Sequence, residues 1–405
     1  MNILILCNKS PFPPVEGGPI AMHAMVMGLK EAGHQVKVLA VSSDKFPVDT
    51  RKVPESFTKE NAFESVPLDL KLKPWPALVS LVRNRSYHIR RFISGAFQDT
   101  LIRILREQRF DVVQFETLYM APYLETVRKY SRAVTFLRAH NIEHLIWKRV
   151  ERSTSNPLKR WYLHRLNQSL KKYELEIINQ FDGVAAITEV DANSFRSMGC
   201  HVPVIGLPFG IDLAHYGHSR PVAEFPSLFF IGSMNWMPNI EGLKWFLDKV
   251  WPEIHKQHPD LIFYIAGRGT PVWLLNASIP NVKAPGEVPD AFEFMSSKAI
   301  MVVPLLSGSG IRIKIIEAMA AGRTVISTTI GAEGINHTNF ENILLADEPC
   351  DFLEMISYCL FQPEKCLKIG AQARQLIERE YDNSRIIKRL EAFYHQVVGD
   401  KGGNL

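Results

Sequence analysis

Cysteine is scarce, and its spacing suits neither a metal site nor a disulfide framework. The five residues Cys7, Cys200, Cys350, Cys359 and Cys366 contain no C-x-x-C pair and are odd in number, which fits a reducing cytoplasm. Long apolar runs are missing as well. The start Ile3-Leu4-Ile5-Leu6 is far too short to cross a bilayer, and a Pro-rich loop rather than a cleavage-like site follows it, so it reads as a first strand. No H-x-H or D-x-D cluster is present, and neither a metal nor a cofactor is expected. Low-complexity tracts and internal repeats are also lacking. The Gly308-Ser309-Gly310 turn has Ile313 where a dinucleotide fingerprint needs its third glycine, which argues against a nicotinamide dehydrogenase.

What is present is an ordinary globular composition, 46% hydrophobic and 22% charged, spread over 405 residues. That length is too great for one core and suits two domains of about 200 residues each. Charge is unevenly divided, with net +9 on residues 1–205 and −4 on the remainder. Residues 73–172 alone hold 20 basic and 7 acidic side chains, among them Arg83, Arg85, Arg90, Arg91, Lys148, Arg149, Arg152, Lys159, Arg160 and Arg165, with Trp75, Trp147 and Trp161 interleaved. A basic face with aromatic anchors suits an anionic membrane surface or a pyrophosphate-linked lipid, and in principle a nucleic acid. The plain alternative is a solvated basic helix face. Peripheral contact with the inner face of the cell membrane is the expectation, with no nucleic-acid partner.

The first half alternates short apolar runs with helix-like stretches, the pattern of a parallel sheet covered on both faces. Its strands are expected at Ile3–Cys7, Gln35–Val41, Asp111–Phe115, Ala133–Leu137, Gly183–Ile187 and Val202–Ile205. A helix over Ala21–Ala32 ends at Gly33, and the loop Asn8–Pro19 joins a strand's C-terminal end to that helix, the edge where open α/β sheets bind ligands. A link lies between Leu207 and Pro226. A second alternation follows, with strands at Leu228–Gly232, Leu261–Ala266, Asn281–Lys283, Ala299–Val303, Thr324–Thr328 and Asn342–Ala346. Its helices are expected near Asn239–Val250, Asp290–Ser297 and Ile311–Ala321. The tail Asp382–Val398 is amphipathic, with Ile386, Ile387, Leu390, Phe393 and Val397 at helical spacing. Thr188 and Asp191 read as a helix cap.

The densest chemistry lies in 307–322. The run ending near Pro304 reads as a buried strand, Gly308-Ser309-Gly310 exposes backbone N–H groups, and the next helix points its positive dipole end at that turn. Arg312 and Lys314 add cations where the dipole disfavours them, so an anion is expected to compensate. Glu317, set among Ile315, Ile316, Ala318, Met319, Ala320 and Ala321, is a carboxylate on a largely apolar helix and needs partners, which ligand hydroxyls would supply.

These residues resemble the donor-site segment of retaining GT-B glycosyltransferases of the large fourth sequence family, which use nucleotide-diphosphate sugars. The resemblance extends in order through Gly17-Gly18, His140-Asn141, Ile187-Thr188 with Asp191, Pro208-Phe209-Gly210-Ile211-Asp212, Gly232, Ala266-Gly267-Arg268, Gly286-Glu287-Val288 and Glu317-Ala318-Met319-Ala320. It implies two doubly wound Rossmann-like domains facing a cleft. The first is an acceptor-binding domain over 1–207 joined by a returning helix over 381–405, and the second a donor-binding domain over 208–380. It further implies a donor diphosphate met at Gly17, Gly18, Gly308, Ser309 and Gly310, with Arg268 as a further phosphate contact, while Arg312 and Lys314, read from the charge pattern of 307–322 itself, are the catalytic cations expected to stabilise the leaving diphosphate. The base would be read at Glu287 and Val288, ribose hydroxyls bound by Glu317, and the transferred sugar met by His140. Asn141 and Glu143 are acceptor candidates. The acceptor would be a glycan or a lipid-linked molecule in cell-surface polysaccharide or glycolipid assembly, and transfer would retain the anomeric configuration without a metal.

Four positions depart from the family's pattern. Ser309 stands where a second glutamate is usual, Ser233 and Pro238 where an arginine and a lysine grip the diphosphate, and Phe209 where the interdomain Pro-Asn-Gly has asparagine. Arg312 and Lys314 are expected to take over the charge lost at Ser233 and Pro238, and Ser309 with backbone N–H groups to replace the missing glutamate. Two other readings of the same fold are a nucleotide-sugar epimerase and a non-catalytic nucleotide-sugar-binding protein.

Overall fold

The computed structural model describes residues 1–14, 17–60, 62–71, 80, 86–214, 216, 223–308 and 310–402. The chain divides into two compact units, one formed by Met1–Gly210 with Asn383–Leu405 and the other by Ile211–Asp382.

In the first unit, β1 (Asn2–Cys7), β2 (Gln35–Ser42), β3 (Phe63–Pro67), β4 (Val112–Glu116), β5 (Val134–Ala139), β6 (Gly183–Ala186) and β7 (Val204–Gly206) form one sheet in the order 3-2-1-4-5-6-7. Every pairing is parallel. The strand β3 is a correction to the sequence reading, which passed over Phe63–Pro67 because its Glu64, Ser65 and Pro67 break the apolar run. Both faces of β1 are covered, which is why it reads as an unbroken apolar string. Leu4 and Leu6 pack with Phe97, Leu101 and Ile104 of helix α2 (Gly95–Glu107). Ile3, Ile5 and Cys7 pack with Met22, Met25 and Val26 of α1 (Gly17–Glu31) and with Ile386, Leu390 and Phe393 of the terminal helix Asn383–Gly402. Each such fully buried side chain contributes about 1.5–3 kcal/mol, so the tail belongs to the core of this unit. Asn383 fixes its start by donating to Ala24 O at 2.9 Å.

Helix α1 begins at Gly17, four residues before the expected Ala21, so Gly17 and Gly18 form its first turn rather than a free loop. Beyond β5, α3 (Glu143–Ser153) and α4 (Pro157–Ile178) make an antiparallel pair carrying much of the basic region. Asn156 caps α4 by accepting from Lys159 N, and Pro157 fits the first turn, where a missing N–H costs nothing. Leu158 and Trp161 are exposed there, whereas Trp147 stacks on His88 at 3.9 Å and is a packing residue rather than a surface anchor. Trp75, Arg83 and Arg85 lie outside the described residues. Among the described residues no helix is long and apolar enough to cross a membrane. Thr188 caps α5 (Glu189–Ser197) by accepting from Asp191 N at 2.9 Å.

In the second unit, β8 (Glu224–Ile231), β9 (Ile262–Ala266), β10 (Val282–Gly286), β11 (Lys298–Val303), β12 (Thr324–Ser327) and β13 (Leu344–Leu345) form a parallel sheet in the order 10-9-8-11-12-13. Leu228 and Phe230 pack against Leu243, Phe246 and Trp251, and the helices α6 (Met237–Lys249), α7 (Ala291–Ser296), α8 (Ile313–Ala320), α9 (Pro349–Phe361) and α10 (Pro363–Glu380) complete the layers. The strand order reverses between β8 and β11. Open sheets bind ligands at such a reversal, outside the carboxyl ends of the strands. The terminal helix of the first unit, Asn383–Gly402, is α11.

Candidate nucleotide-sugar site

In the second unit, the strand-order reversal brings Gly232, after β8, beside the 304–312 segment that follows β11. Helix α8 starts at Ile313 and not at Ile311, which makes Arg312 its N-cap, in extended conformation at φ −88 and ψ 93, and moves Lys314 into the first turn. This separation corrects the picture of both cations riding on one helix. Arg312 is 5% exposed, lies over the Trp236 ring at 5.1 Å and donates through Nη1 to Gly310 O at 2.5 Å. Gly308, at φ +122, leaves room for that guanidinium, since a Cβ there would sit 2.8 Å from Nη2.

Lys314 points back toward β8. Its Nζ donates to Asn239 Oδ1 at 2.9 Å and lies 4.1 Å from the Phe230 ring centroid, and a Cβ on Gly232 would come within 3.2 Å of it. The ammonium therefore stands at the mouth of β8, beside Ser233 and the stretch containing Pro238. Burial first, and then the Arg312 charge, push its pKa well below the ordinary lysine value. Among the described residues no carboxylate forms an ion pair with it. Two cations held together in a partly desolvated crevice at a sheet's ligand edge call for a multivalent anion.

Glu317 lies one turn past Lys314 on α8 and is half-buried. Tyr216 donates its hydroxyl to Glu317 Oε1 at 3.2 Å; burial first, then the Glu317 carboxylate, push that phenol's pKa up. The Tyr216 ring meets Phe292 edge-on at 4.9 Å, and Arg374 ties the segment down by donating to Tyr216 O and Ala320 O. Arg268 follows β9 and is exposed, while its carbonyl accepts from Met234 N at 2.8 Å. Glu287 is exposed and Val288 half-buried just after Gly286 at the end of β10. Arg268, Glu287, Val288, Gly308, Gly310, Arg312 and Lys314 thus all follow the carboxyl ends of strands of one sheet, with Glu317 next to them on α8. Ser309 lies outside the described residues.

The first unit has its own polar cluster at the carboxyl ends of β4 and β5. His140 Nε2 lies 2.5 Å from Glu116 Oε2, Gln114 Nε2 donates to Glu116 Oε1 at 2.5 Å, and Tyr394 of α11 donates to Gln114 Oε1. An ionised Glu116 only accepts, so the ring proton of His140 resides on Nε2 and leaves Nδ1 for a ligand. Arg138 pairs in register with Glu116 and is fully buried with it, its Nε 3.7 Å from Glu116 Oε2. Neither Glu116 nor Arg138 was singled out from sequence. The signal was a charged residue closing each of two adjacent apolar strands.

Asn141 is half-buried and Glu143 buried at the start of α3. Tyr119 donates to Glu143 Oε2 at 2.7 Å, and Glu174 accepts from the N–H groups of Glu143 and His144 and faces His144 Nδ1 at 2.6 Å. Burial pushes the Glu143 carboxyl up to about 7, against the Tyr119 hydrogen bond and with the help of the Glu174 charge. A carboxyl with a raised pKa makes folding progressively less favourable as pH climbs from about 4.5 to about 7. Glu143→Gln is therefore expected to gain about 2 kcal/mol relative to the parent between pH 5 and 8, read by urea unfolding at both pH values. A pH-independent difference would mean that Glu143 ionises as an ordinary carboxylate.

Two Rossmann-like parallel-sheet units of this order, with a returning terminal helix, define the GT-B class. The description "Glycosyltransferase Family 4" matches residues 15–215, and "Glycosyl transferases group 1" matches residues 225–361. The chain belongs with these family-4-type GT-B glycosyltransferases, and its chemistry is glycosyl transfer. An uncharacterized 44.6 kDa protein in the cps region of Klebsiella pneumoniae is 21% identical to it, covering 96% of this chain and 98% of the relative. Sucrose-phosphate synthase from Thermosynechococcus elongatus superposes with a TM-score of 0.74 at 16% identity over 99% of this chain and 100% of that one. Anabaena HepE, solved in complex with UDP, gives 0.67 at 13% identity over 98% and 100%.

Proposed function

We propose that the protein moves a sugar from a nucleoside-diphosphate sugar onto an acceptor hydroxyl with retention of configuration, in the assembly of a surface polysaccharide or glycolipid. The observation that carries this is the pair Arg312 and Lys314 at the β8/β11 reversal with Glu317 one turn further along α8. Breaking the anomeric carbon–oxygen bond places negative charge on the diphosphate, and preorganised cations in a desolvated crevice stabilise that charge without reorganising. Glu317, held by Tyr216, suits a ribose diol. The polysaccharide setting is supported by the relative in the Klebsiella cps region, and the HepE complexes with UDP and UDP-glucose make uridine donors the first to test.

Calorimetric titration with nucleoside diphosphates tests the donor assignment. UDP or another nucleoside diphosphate is expected to bind, with Glu317→Ala weakening it about tenfold or more, the equivalent of about 1.4 kcal/mol or more for lost charge-assisted bonds. Inorganic pyrophosphate, which has no ribose, should be bound equally by both proteins. No nucleotide binding, or an equal loss for both ligands, would remove Glu317 from the ribose. Transfer of labelled sugar to an acceptor, against epimerised sugar from donor alone, separates a transferase from an epimerase.

A further inference from the structure

Burial and the like charge of Arg312 both act to expel the Lys314 ammonium, yet it stays at the mouth of β8. The group that holds it is Asn239, the third residue of α6 and 4% exposed. Its amide is committed at both ends. Oδ1 accepts from Lys314 Nζ at 2.9 Å, and Nδ2 donates to Ser233 O at 2.8 Å. Turning the amide over would set donor against donor and acceptor against acceptor, so its orientation is fixed. Two glycines make room for the arrangement. A Cβ on Gly232 would lie 2.9 Å from Asn239 Nδ2 and 3.2 Å from Lys314 Nζ. One on Gly242, a turn further along α6, would lie 2.1 Å from Pro304 O, so the helix is seated against the segment that leads from β11 into α8. Ser233, which carries no charge where the family's pattern has one, thus anchors through its carbonyl the amide that holds a cation from another element.

An amide oxygen holds an ammonium without cancelling its charge, where a carboxylate in the same place would form an ion pair. We propose that Asn239 is a positioning residue for the donor, keeping Lys314 in place while leaving its positive charge for a diphosphate. Asn239 acts through Lys314 and not on the substrate. Of the three ammonium N–H donors it takes one, and among the described residues the other two are left for phosphoryl oxygens. The proposal rests on the reading of Lys314 as a diphosphate ligand and adds a requirement for an uncharged acceptor at 239. A carboxylate there would occupy the ammonium before the donor arrives.

The test is calorimetric titration of the full chain with UDP and with inorganic pyrophosphate. It compares wild type, Asn239→Ala, Asn239→Asp, Lys314→Met, and Asn239→Ala combined with Lys314→Met. Asn239→Ala is expected to weaken both ligands about fivefold or more in the parent, and by less than about twofold where Lys314 is already replaced. Asn239→Asp, although closer in shape, is expected to weaken both by about tenfold or more, because its carboxylate pairs with the ammonium. A residue that only fills space would give the opposite order, aspartate being the milder change. An equal loss from Asn239→Ala with and without Lys314 overturns the proposal. So does wild-type affinity in either single variant at 239 while Lys314→Met binds weakly. UDP binding that is absent from wild type, or unchanged in Lys314→Met, instead fails the donor reading of the lysine and takes the proposal with it. Should Asn239→Ala melt below the titration temperature, Asn239→Asp decides alone: tenfold weaker binding supports the proposal, and wild-type binding overturns it.

Discussion

Replacing Arg312 and Lys314 together by alanine is expected to lower kcat/KM for sugar transfer by about 10³-fold or more, since each well-placed donor to a developing oxyanion contributes about 10²–10³. The structure gives the two cations unequal apo-state costs. Among the described residues Lys314 donates one hydrogen bond, to Asn239, and its pKa is held well below the ordinary lysine value by burial and by Arg312. A lysine whose folded pKa lies under its unfolded value destabilises the fold while charged, and that penalty fades as pH rises toward about 10.5. Lys314→Met, which keeps the stem that packs on Phe230, should therefore melt higher than the parent without ligand at neutral pH, the difference narrowing at high pH. The same variant should lose most of its nucleoside-diphosphate affinity. Higher apo stability with unchanged UDP binding would mean that Lys314 does not compensate for Ser233 and Pro238 but is only a poorly solvated core lysine.

The distribution of what the sequence made legible follows from what each signal depends on. Strands β1, β4, β5, β8 and β11 are buried on both faces, so composition alone marks them. Strand β3 is not, because an edge position tolerates Glu64 and Ser65, whose alternation in five residues is too short to stand out. The chemistry of 308–317 was visible because glycines, cations and a carboxylate fall within ten residues. Its supporting partners were not. Trp236, Asn239 and Tyr216 lie about 75 to 101 residues away in sequence from Arg312, Lys314 and Glu317, and only the sheet order brings them together. The same holds for Glu116 and Arg138, which become neighbours through strand register. The helix boundary of α8 escaped because Ile311 and Arg312 are good helix formers by composition, while the glycine-rich turn holds Arg312 extended as the N-cap.

Glu116→Ala is expected to cost about 3–5 kcal/mol of stability, because it strands the fully buried Arg138 guanidinium without a counter-charge. Arg138 already sits with its pKa lowered by burial, and the Glu116 charge is the larger of the two influences that raise it again. None of its three guanidinium nitrogens has a hydrogen-bond partner among the described residues, so no neutral group takes over when the carboxylate is gone. Glu116→Gln with Arg138→Met removes both charges and keeps volume, and should recover most of the loss, since a paired buried charge exchanged for an apolar isostere is often neutral. Activity separates the second role. In the double variant the amide at 116 no longer demands a proton on His140 Nε2, so the ring is free to turn over, and transfer should remain well below wild type in kcat at restored stability. Urea unfolding of both variants and the parent, with initial rates of transfer on the same samples, reads both quantities. If the double variant is as unstable as Glu116→Ala, the cluster is held by hydrogen bonds through Gln114 and Tyr394 rather than by charge. If it regains stability and full activity together, His140 needs no carboxylate to orient it.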